Sequence, residues 1–550
     1  MTLPMTMFPP HYRPVMHVQA PRYLLDAERP FSESMLWELQ ERYFAEKGAD
    51  AWRYTEVPHY VTNNPSVANT YAEIVFANWR DQERMLDGAA RAEPAHVVEL
   101  GAGSGRLAFH FLQRLSALCE QFDVPLTSFK FILTDYAAIN LAFWRGHRCL
   151  QAFFDSGVLD LALFDARSST ELQLQMSGRV IRSGDLQRPL IAIANYFFDS
   201  IPQELILFED GKAQRCSVAL EVDADPATLS VTQQLERLRC SYTYRELDGP
   251  LFAEAHWQAL LDSYRATVAR SHVLFPVAGL GCLEHLKALS TQGLLVLSTD
   301  KGEHQLETLQ NVPPPEPDRH GSFSLQVNYH ALGMWCEQIG GIKMFPGGLT
   351  LSINVCALLV LPEPARWRET RAAYRRQVSD FSPDDFYTIS YQARQLIPVM
   401  SIGELLAHLR LAYHDPHACG HYLPRMAELA PGLNAIERKA LTLALEKVWH
   451  IYYSLGEEMN LAEHMAYAFC LLEDFPRALL FYQHAAELYP DRADSSALYN
   501  QAWCHGMLHE DAAARTVLQT LLATDPAHAE AIDLLKSCNE RLSAATTLPA

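Results

Sequence analysis

Glu99 stands two residues ahead of a glycine-rich turn, in the run Val97-Val-Glu-Leu-Gly-Ala-Gly-Ser-Gly-Arg-Leu-Ala108. The run reads as a strand, a turn and a helix start. Gly101, Gly103 and Gly105 lack a Cβ, so the backbone there can approach a ligand closely. The helix that follows offers free N–H groups at its start. Turns of this kind often hold a phosphate, but two residues argue against that here. A carboxylate at Glu99 faces a cation better than a pyrophosphate. The dinucleotide fingerprint G-x-G-x-x-G would need glycine at 106, where the chain has Arg106. A nicotinamide or flavin dinucleotide is therefore disfavoured. A ligand with an ammonium group and no phosphate fits better.

Other residues are candidates for chemistry. Asn195 and Asp199 follow the apolar run Leu190–Ala194, where such residues also cap turns. His414, His417, Cys419 and His421 form H-x-x-H-x-C-x-H, which holds zinc donors. Asp415-Pro416 and Gly420 mark that segment as a loop between helices, where four such close donors need not converge, and no metal site is expected. Arg366, Arg368, Arg371, Arg375 and Arg376 read as a solvated helix face, with a docking surface as the alternative. The 11 cysteines include no C-x-x-C pair. That argues against a disulfide framework or thiolate zinc site and fits a reducing cytoplasm.

These residues need elements to position them. Residues 1–30 carry Pro4, Pro9, Pro10, Pro14, Pro21 and Pro30 and read as an irregular arm. Helical spacing follows over Phe31–Ala45 and about Val67–Met85. From His96 the pattern changes. Val97–Leu100, Phe129–Thr134, Leu159–Phe164, Leu190–Ala194 and Leu294–Ser298 are short apolar runs alternating with helical stretches, which predicts a parallel sheet covered on both faces. A mixed stretch from Gln203 to about Ala269, with a turn at Glu209-Asp210-Gly211, reads as an insertion carrying a hairpin. Leu349–Val360 reads as a closing strand and Leu361-Pro362-Glu363-Pro364 as a linker.

Everything after the linker reads as helix. Ser401 and Glu404 have the form of a capping box. Ala478 and Ala514 are 36 residues apart, as are Pro490 and Pro526, close to the roughly 34-residue tetratricopeptide period. Gln501 and His505 fit that pattern poorly, so the second repeat is degenerate, and a final helix spans Glu530–Leu542.

Glu99-Leu-Gly-Ala-Gly-Ser-Gly-Arg-Leu resembles motif I of class I S-adenosylmethionine-dependent methyltransferases. More narrowly, the chain is similar to the MidA-like family, which includes the mitochondrial complex I assembly arginine methyltransferase. Tyr60–Glu73 resembles that family's N-terminal substrate-side motif. Ala194-Asn-Tyr-Phe-Phe-Asp-Ser-Ile-Pro202 resembles its Asn-Glu-Phe-Phe-Asp-Ala-Leu-Pro motif, and Ser324–Gly340 its late helix. The resemblance covers about residues 55–360 and leaves out the repeats. It implies that Gly101–Gly105 wrap the methionine part of S-adenosylmethionine, with Glu99 near its ammonium. Asp135 would hold the ribose hydroxyls. Asp165 would approach the adenine amino group, with Asp185 as competitor if Val180–Ile181 is the strand instead. Asn195 and Asp199 would line the place where donor and acceptor meet, as the catalytic residues. Tyr196 replaces the family's glutamate, Ala72 a glycine, and the first motif carries one extra residue.

The sequence thus predicts an α/β protein: a Rossmann-like methyltransferase sheet with a helical N-terminal region and an all-α helical repeat domain. The expected boundaries are an arm and helical substrate side over 1–95, a core over 96–362 with an insertion at about 203–270, a helical linker over 363–455, and repeats over 456–550. Forty-five Lys and Arg against 65 Asp and Glu give a net charge of −20, which disfavours nucleic acid and anionic membrane as partners. No run of about 18 apolar residues predicts a membrane span, and the first residues hold no signal-peptide run. The expected function is methyl transfer to a protein side-chain nitrogen, with the repeats recruiting that protein. The alternatives are a small-molecule methyltransferase that uses its repeats to form a homodimer, and a non-catalytic scaffold.

Overall fold

Seven short, mostly apolar segments assemble into one sheet in the computed structural model, which describes residues 22–54, 56–58, 60–490, 492 and 494–546. The arm prolines at 4, 9, 10, 14 and 21 lie outside the described residues. The strands are β1 (Ala95–Leu100), β2 (Phe129–Asp135), β3 (Leu159–Leu163), β4 (Leu190–Asn195), β5 (Leu294–Asp300), β6 (Ile342–Met344) and β7 (Asn354–Val360). Their order is β6-β7-β5-β4-β1-β2-β3. β1 to β5 run parallel, and β7 runs antiparallel to both β5 and β6. β7 is the expected closing strand, but it starts at Asn354, because Pro346-Gly347-Gly348 and the residues after them form a loop.

Both faces are covered, which is why these strands read as unbroken apolar runs. Val97, Leu295, Leu297 and Val355 bury into one cluster. Their neighbours Val98, Leu294, Val296 and Cys356 bury into the opposite one. On the first face lie α1 (Pro65–Met85) and α2 (Arg106–Gln121), packed on each other. Asn64 starts α1 by accepting from the amides of Ser66 and Val67.

The insertion is a second sheet. Strands Tyr23–Pro30, Glu204–Glu209, Lys212–Val222, Arg239–Glu246 and Arg270–Phe275 form it. The expected hairpin is present: Glu209 pairs with Lys212 around Asp210 and Gly211, both at positive φ as a two-residue hairpin turn needs. Residues 23–30 correct the reading of an irregular arm. They pair antiparallel with Lys212–Val222, since between Pro21 and Pro30 every residue keeps its N–H.

The residues after Leu361-Pro362-Glu363-Pro364 pack back on the sheet domain. Trp367, Tyr374 and Val378 enter the same cluster as β1 and α1, and helix Arg368–Tyr374 packs on α1. All five arginines of that stretch are exposed. Further on, α3 (Leu461–Leu471), α4 (Phe475–Leu488), α5 (Ser495–Met507), α6 (Asp511–Thr524) and α7 (Ala529–Thr546) stack in sequence. Ala478 and Ala514 are fully buried. Among the described residues no helix is long and apolar enough to cross a membrane.

Candidate functional site

The glycine turn lies at the carboxyl edge of the parallel strands and is gripped from four directions. Gly103 has φ +52, and a Cβ there would come within 2.7 Å of the Trp52 ring. Gly105 has φ +73, and a Cβ there would meet Trp144 at 2.9 Å and the Tyr453 hydroxyl at 3.2 Å. Only glycine fits these two positions. The Trp144 indole donates to the Gly103 carbonyl at 2.9 Å, and Tyr453 donates to the Ser104 carbonyl at 3.0 Å.

Asp135 ends β2 and takes part in the turn itself. Its carboxylate accepts from the Gly103 amide at 3.2 Å, the Ala137 amide at 2.9 Å and Asn140 at 2.9 Å. Burial holds its pKa above the usual range despite those donors. Glu99 differs. It is buried at the end of β1, and its Oε2 has no hydrogen-bond partner. Burial, then the charge of Asp135, pushes its pKa up to about 8. Among the described residues no cation is paired with it.

Two abutting cavities open here. One of about 90 Å³ is lined by Glu99, the glycine turn, Asn63, Asn195, Asp199 and Lys301. The other, of about 450 Å³, is lined by Asp135, Tyr136, Phe164, Asp165, Trp37 and Phe44. Trp52, Gly101 and Tyr196 wall both. Asp165 follows β3 and faces the larger cavity. Hydrogen bonds from Arg167 and Ser168 outweigh burial and hold its pKa low. Asp185 accepts from the Arg182 amide at 2.7 Å on an exposed turn and lines neither cavity.

Asn195 reaches the site with its amide already committed. Its Oδ1 accepts from the Tyr71 hydroxyl at 2.6 Å and the Thr299 amide at 3.2 Å, and its Nδ2 donates to the Thr62 carbonyl at 2.9 Å. It ties α1 to the ends of β4 and β5. Tyr196 follows at φ +45, a conformation that non-glycine residues rarely adopt.

Asp199 accepts from Ser200 at 2.8 Å, and its amide donates to Asp300 at 3.3 Å. Both carboxyls are buried, and burial raises the pKa of each; the charge of Asp199 raises Asp300 further. Lys301 and His320 complete this end. Burial keeps the His320 imidazole below its ordinary pKa, and its Nδ1 has no partner. Asp300, Lys301 and His320 were not singled out in the sequence. Asp300 carried a signal all the same: like Asp135, it is an acid ending an apolar strand.

No family model matches the chain, and no curated protein matches it. Two solved structures from Burkholderia thailandensis do. One is an uncharacterized COG1565 superfamily protein, 13% identical, covering 62% of this chain and 90% of its own, with a TM-score of 0.37. The other is described as a COG1565 superfamily member and "likely methyl transferase" bound to S-adenosyl-homocysteine. It is 15% identical, covers 64% of this chain and 91% of its own, and has a TM-score of 0.40.

The helical half also meets this site. His147 stacks on Tyr453 at 3.7 Å, with its Nε2 2.9 Å from the Ser454 carbonyl, and Arg106 pairs with Glu457. A further cavity of about 440 Å³ lies between Tyr60, Asn63, Arg106, His417, Tyr453 and Glu458. The Asn63 Oδ1 is buried without a partner, and Asn63 walls both this cavity and the one at Glu99. His417 and His421 lie one turn apart on helix Pro416–Leu429, while Cys419 is fully buried. Among the described residues no three His, Cys, Asp or Glu side chains group to hold a metal.

Proposed function

We propose that this chain is an S-adenosylmethionine-dependent methyltransferase of the class I, Rossmann-like type, acting on a nitrogen of a protein side chain. The helices α3–α7 are read as tetratricopeptide-like repeats that recruit that protein, in the cytoplasm. The observation that carries the cofactor reading is Glu99: a buried carboxylate with an unpartnered oxygen, at a glycine turn that tolerates no Cβ. An ammonium is the group that would satisfy it. The strand order and the antiparallel β7 agree with this reading.

The cofactor, when bound, supplies a sulfonium methyl that is already a strong electrophile. The chain's residues supply binding, orientation and exclusion of water. Glu99 would hold the ammonium, and Gly101–Gly105 the methionine part. Asp135 and Tyr136 would hold the ribose, and Asp165 the adenine amino group. Trp52, Phe44 and Tyr196 wall water out of the small cavity. Asp199 and Asp300 sit too close to ionise independently, so the pair attracts a cationic group to the acceptor side. His320, kept neutral by burial, can take at Nδ1 the proton that a nitrogen acceptor gives up. Asn195 positions β4 and β5 against α1; its amide oxygen is already taken by Tyr71 and Thr299 and so does not orient the acceptor. The cavity bounded by Asn63 and the helical half supports a protein acceptor, because it gives a side chain a route from that half. The 90 Å³ of the inner cavity favours a second reading, a small-molecule acceptor with the repeats serving a dimer.

Calorimetric titration with S-adenosylmethionine tests the proposal. Micromolar binding, lost in Glu99→Ala and Gly103→Val, supports the site. Labelled-methyl transfer into lysate proteins, absent in Asp199→Asn, supports the protein acceptor. A folded wild type that binds no cofactor sinks the enzyme and leaves a scaffold.

A further inference from the structure

The sulfur atoms of Cys470 and Cys504 lie 3.0 Å apart, away from the site described above. Cys470 sits in the last turn of α3 and Cys504 in α5, 34 residues apart, at the same place in successive helix pairs. Both are buried. The separation is shorter than unbonded sulfurs normally pack, and about 1 Å longer than a disulfide bond of roughly 2.04 Å. The contact also prepares the chemistry. The two thiols share a hydrogen bond in which either sulfur can donate; it favours ionisation of one member of the pair, holding Cys470 below the ordinary thiol pKa and Cys504 above it, and the Tyr482 hydroxyl stands 3.8 Å from Cys470. Cys119, Cys282, Cys356 and Cys419 contrast with it, since burial, joined in the last three by nearby acidic groups, pushes their thiols up.

We propose that Cys470 and Cys504 are a redox modification site, forming a reversible disulfide that staples α3 to α5 when the protein meets a peroxide. The Cys470 thiolate attacks one oxygen of hydrogen peroxide, giving a sulfenic acid and hydroxide, which takes up a proton as water. The Cys504 thiol then gives up its proton and attacks the Cys470 sulfur; the S–S bond forms as the S–O bond breaks, and the displaced hydroxide takes up that proton as a second water. Two thiols are oxidised to one disulfide, and one peroxide is reduced to two waters. A dithiol reductant reverses the step. Disulfides of this reversible kind are those found in reducing compartments. The link closes a long loop and fixes one helix pair against the next, so the surface the repeats present becomes stiffer.

The test uses the full chain. It is treated with hydrogen peroxide, its free thiols are alkylated under denaturing conditions, and it is digested without reductant for mass spectrometry. The expected product is one linked peptide pair carrying Cys470 and Cys504, two hydrogens lighter than its parts. It disappears after dithiothreitol and is absent from Cys504→Ala. Melting of the oxidised protein's helical region rises by roughly 5 °C. Recovery of both cysteines fully alkylated, or as sulfinic or sulfonic acids without the link, while half-buried Cys149 is consumed, overturns the proposal. The mapping of the wild type decides this even if the variant does not fold.

Discussion

Replacing Glu99 by Gln tests the electrostatics of the glycine turn most sharply. Burial and Asp135 raise the Glu99 pKa from 4.5 to about 8 in the folded protein. At 1.36 kcal/mol per pH unit, full ionisation of Glu99 costs the fold about 5 kcal/mol, and about 3 kcal/mol at pH 7. The folded pKa lies above the unfolded one, so the contribution is fully favourable below about pH 4.5 and is lost as pH rises toward 8. In urea denaturation without cofactor, Glu99→Gln should be about 3 kcal/mol more stable than wild type at pH 7, and within about 1 kcal/mol of it at pH 5. Cofactor binding should show the reverse. At pH 7 roughly nine in ten Glu99 side chains carry a proton, which an arriving ammonium must displace. Titration of wild type in phosphate and in Tris, whose ionisation heats differ, should therefore report close to one proton released per cofactor. Release should fade above pH 9. Glu99→Gln should release none and bind at least about tenfold more weakly. Equal heats in the two buffers for the wild type would refute the role given to Glu99.

The remaining expectations concern the parts that hold this turn. Gly105→Ala puts a Cβ against Trp144 at positive φ and should cost about 2–3 kcal/mol in urea denaturation, with loss of cofactor binding. Tyr453→Phe leaves the Ser104 carbonyl without its donor. It should cost about 1–2 kcal/mol and weaken cofactor binding several-fold by calorimetry, with an unchanged far-ultraviolet spectrum. Asn195→Ala strands the Thr299 amide and the Thr62 carbonyl, leaves Tyr71 only its contact with the Thr299 hydroxyl, and should cost about 2–4 kcal/mol in the same denaturation assay. Asp300→Asn should raise stability at pH 8 more than at pH 5. Both carboxyls of the pair have raised pKa values, so the wild type loses stability as pH climbs through their range; equal gains at the two pH values would contradict this.

The sheet was legible because strands buried on both faces are unbroken apolar runs, as β1, β4 and β5 are. The hairpin at Asp210-Gly211 and the cap at Ser401 were legible because their turn chemistry is local. Tyr23–Pro30 was not, because its partner strand lies about 190 residues away and the nearby prolines dominate the local pattern. The site divides the same way. Glu99, Asp135 and Asp165 sit at or just past strand ends and, with Gly101 and Gly103, line the two cavities. The roles of Asp135 and Asn195 within the turn and the α1 tie were not legible, since each depends on a partner from another element. Trp52, His320 and Tyr453 come from three separate segments, and only the folded chain brings Trp52 and Tyr453 to the turn and His320 to the cavity beside it.

The Tyr453 clasp has a thermodynamic corollary. The same hydroxyl that ends the helical half's grip also holds the Ser104 carbonyl of the cofactor turn, and the neighbouring Arg106–Glu457 pair reinforces it. Two binding events that share a rigid joint are linked with equal force in both directions. A protein that settles the helices onto the sheet would tighten the cofactor by the same factor by which the cofactor tightens that protein. On the function proposed above, the molecule would then behave as a coincidence detector, engaging a protein best when it is loaded with cofactor.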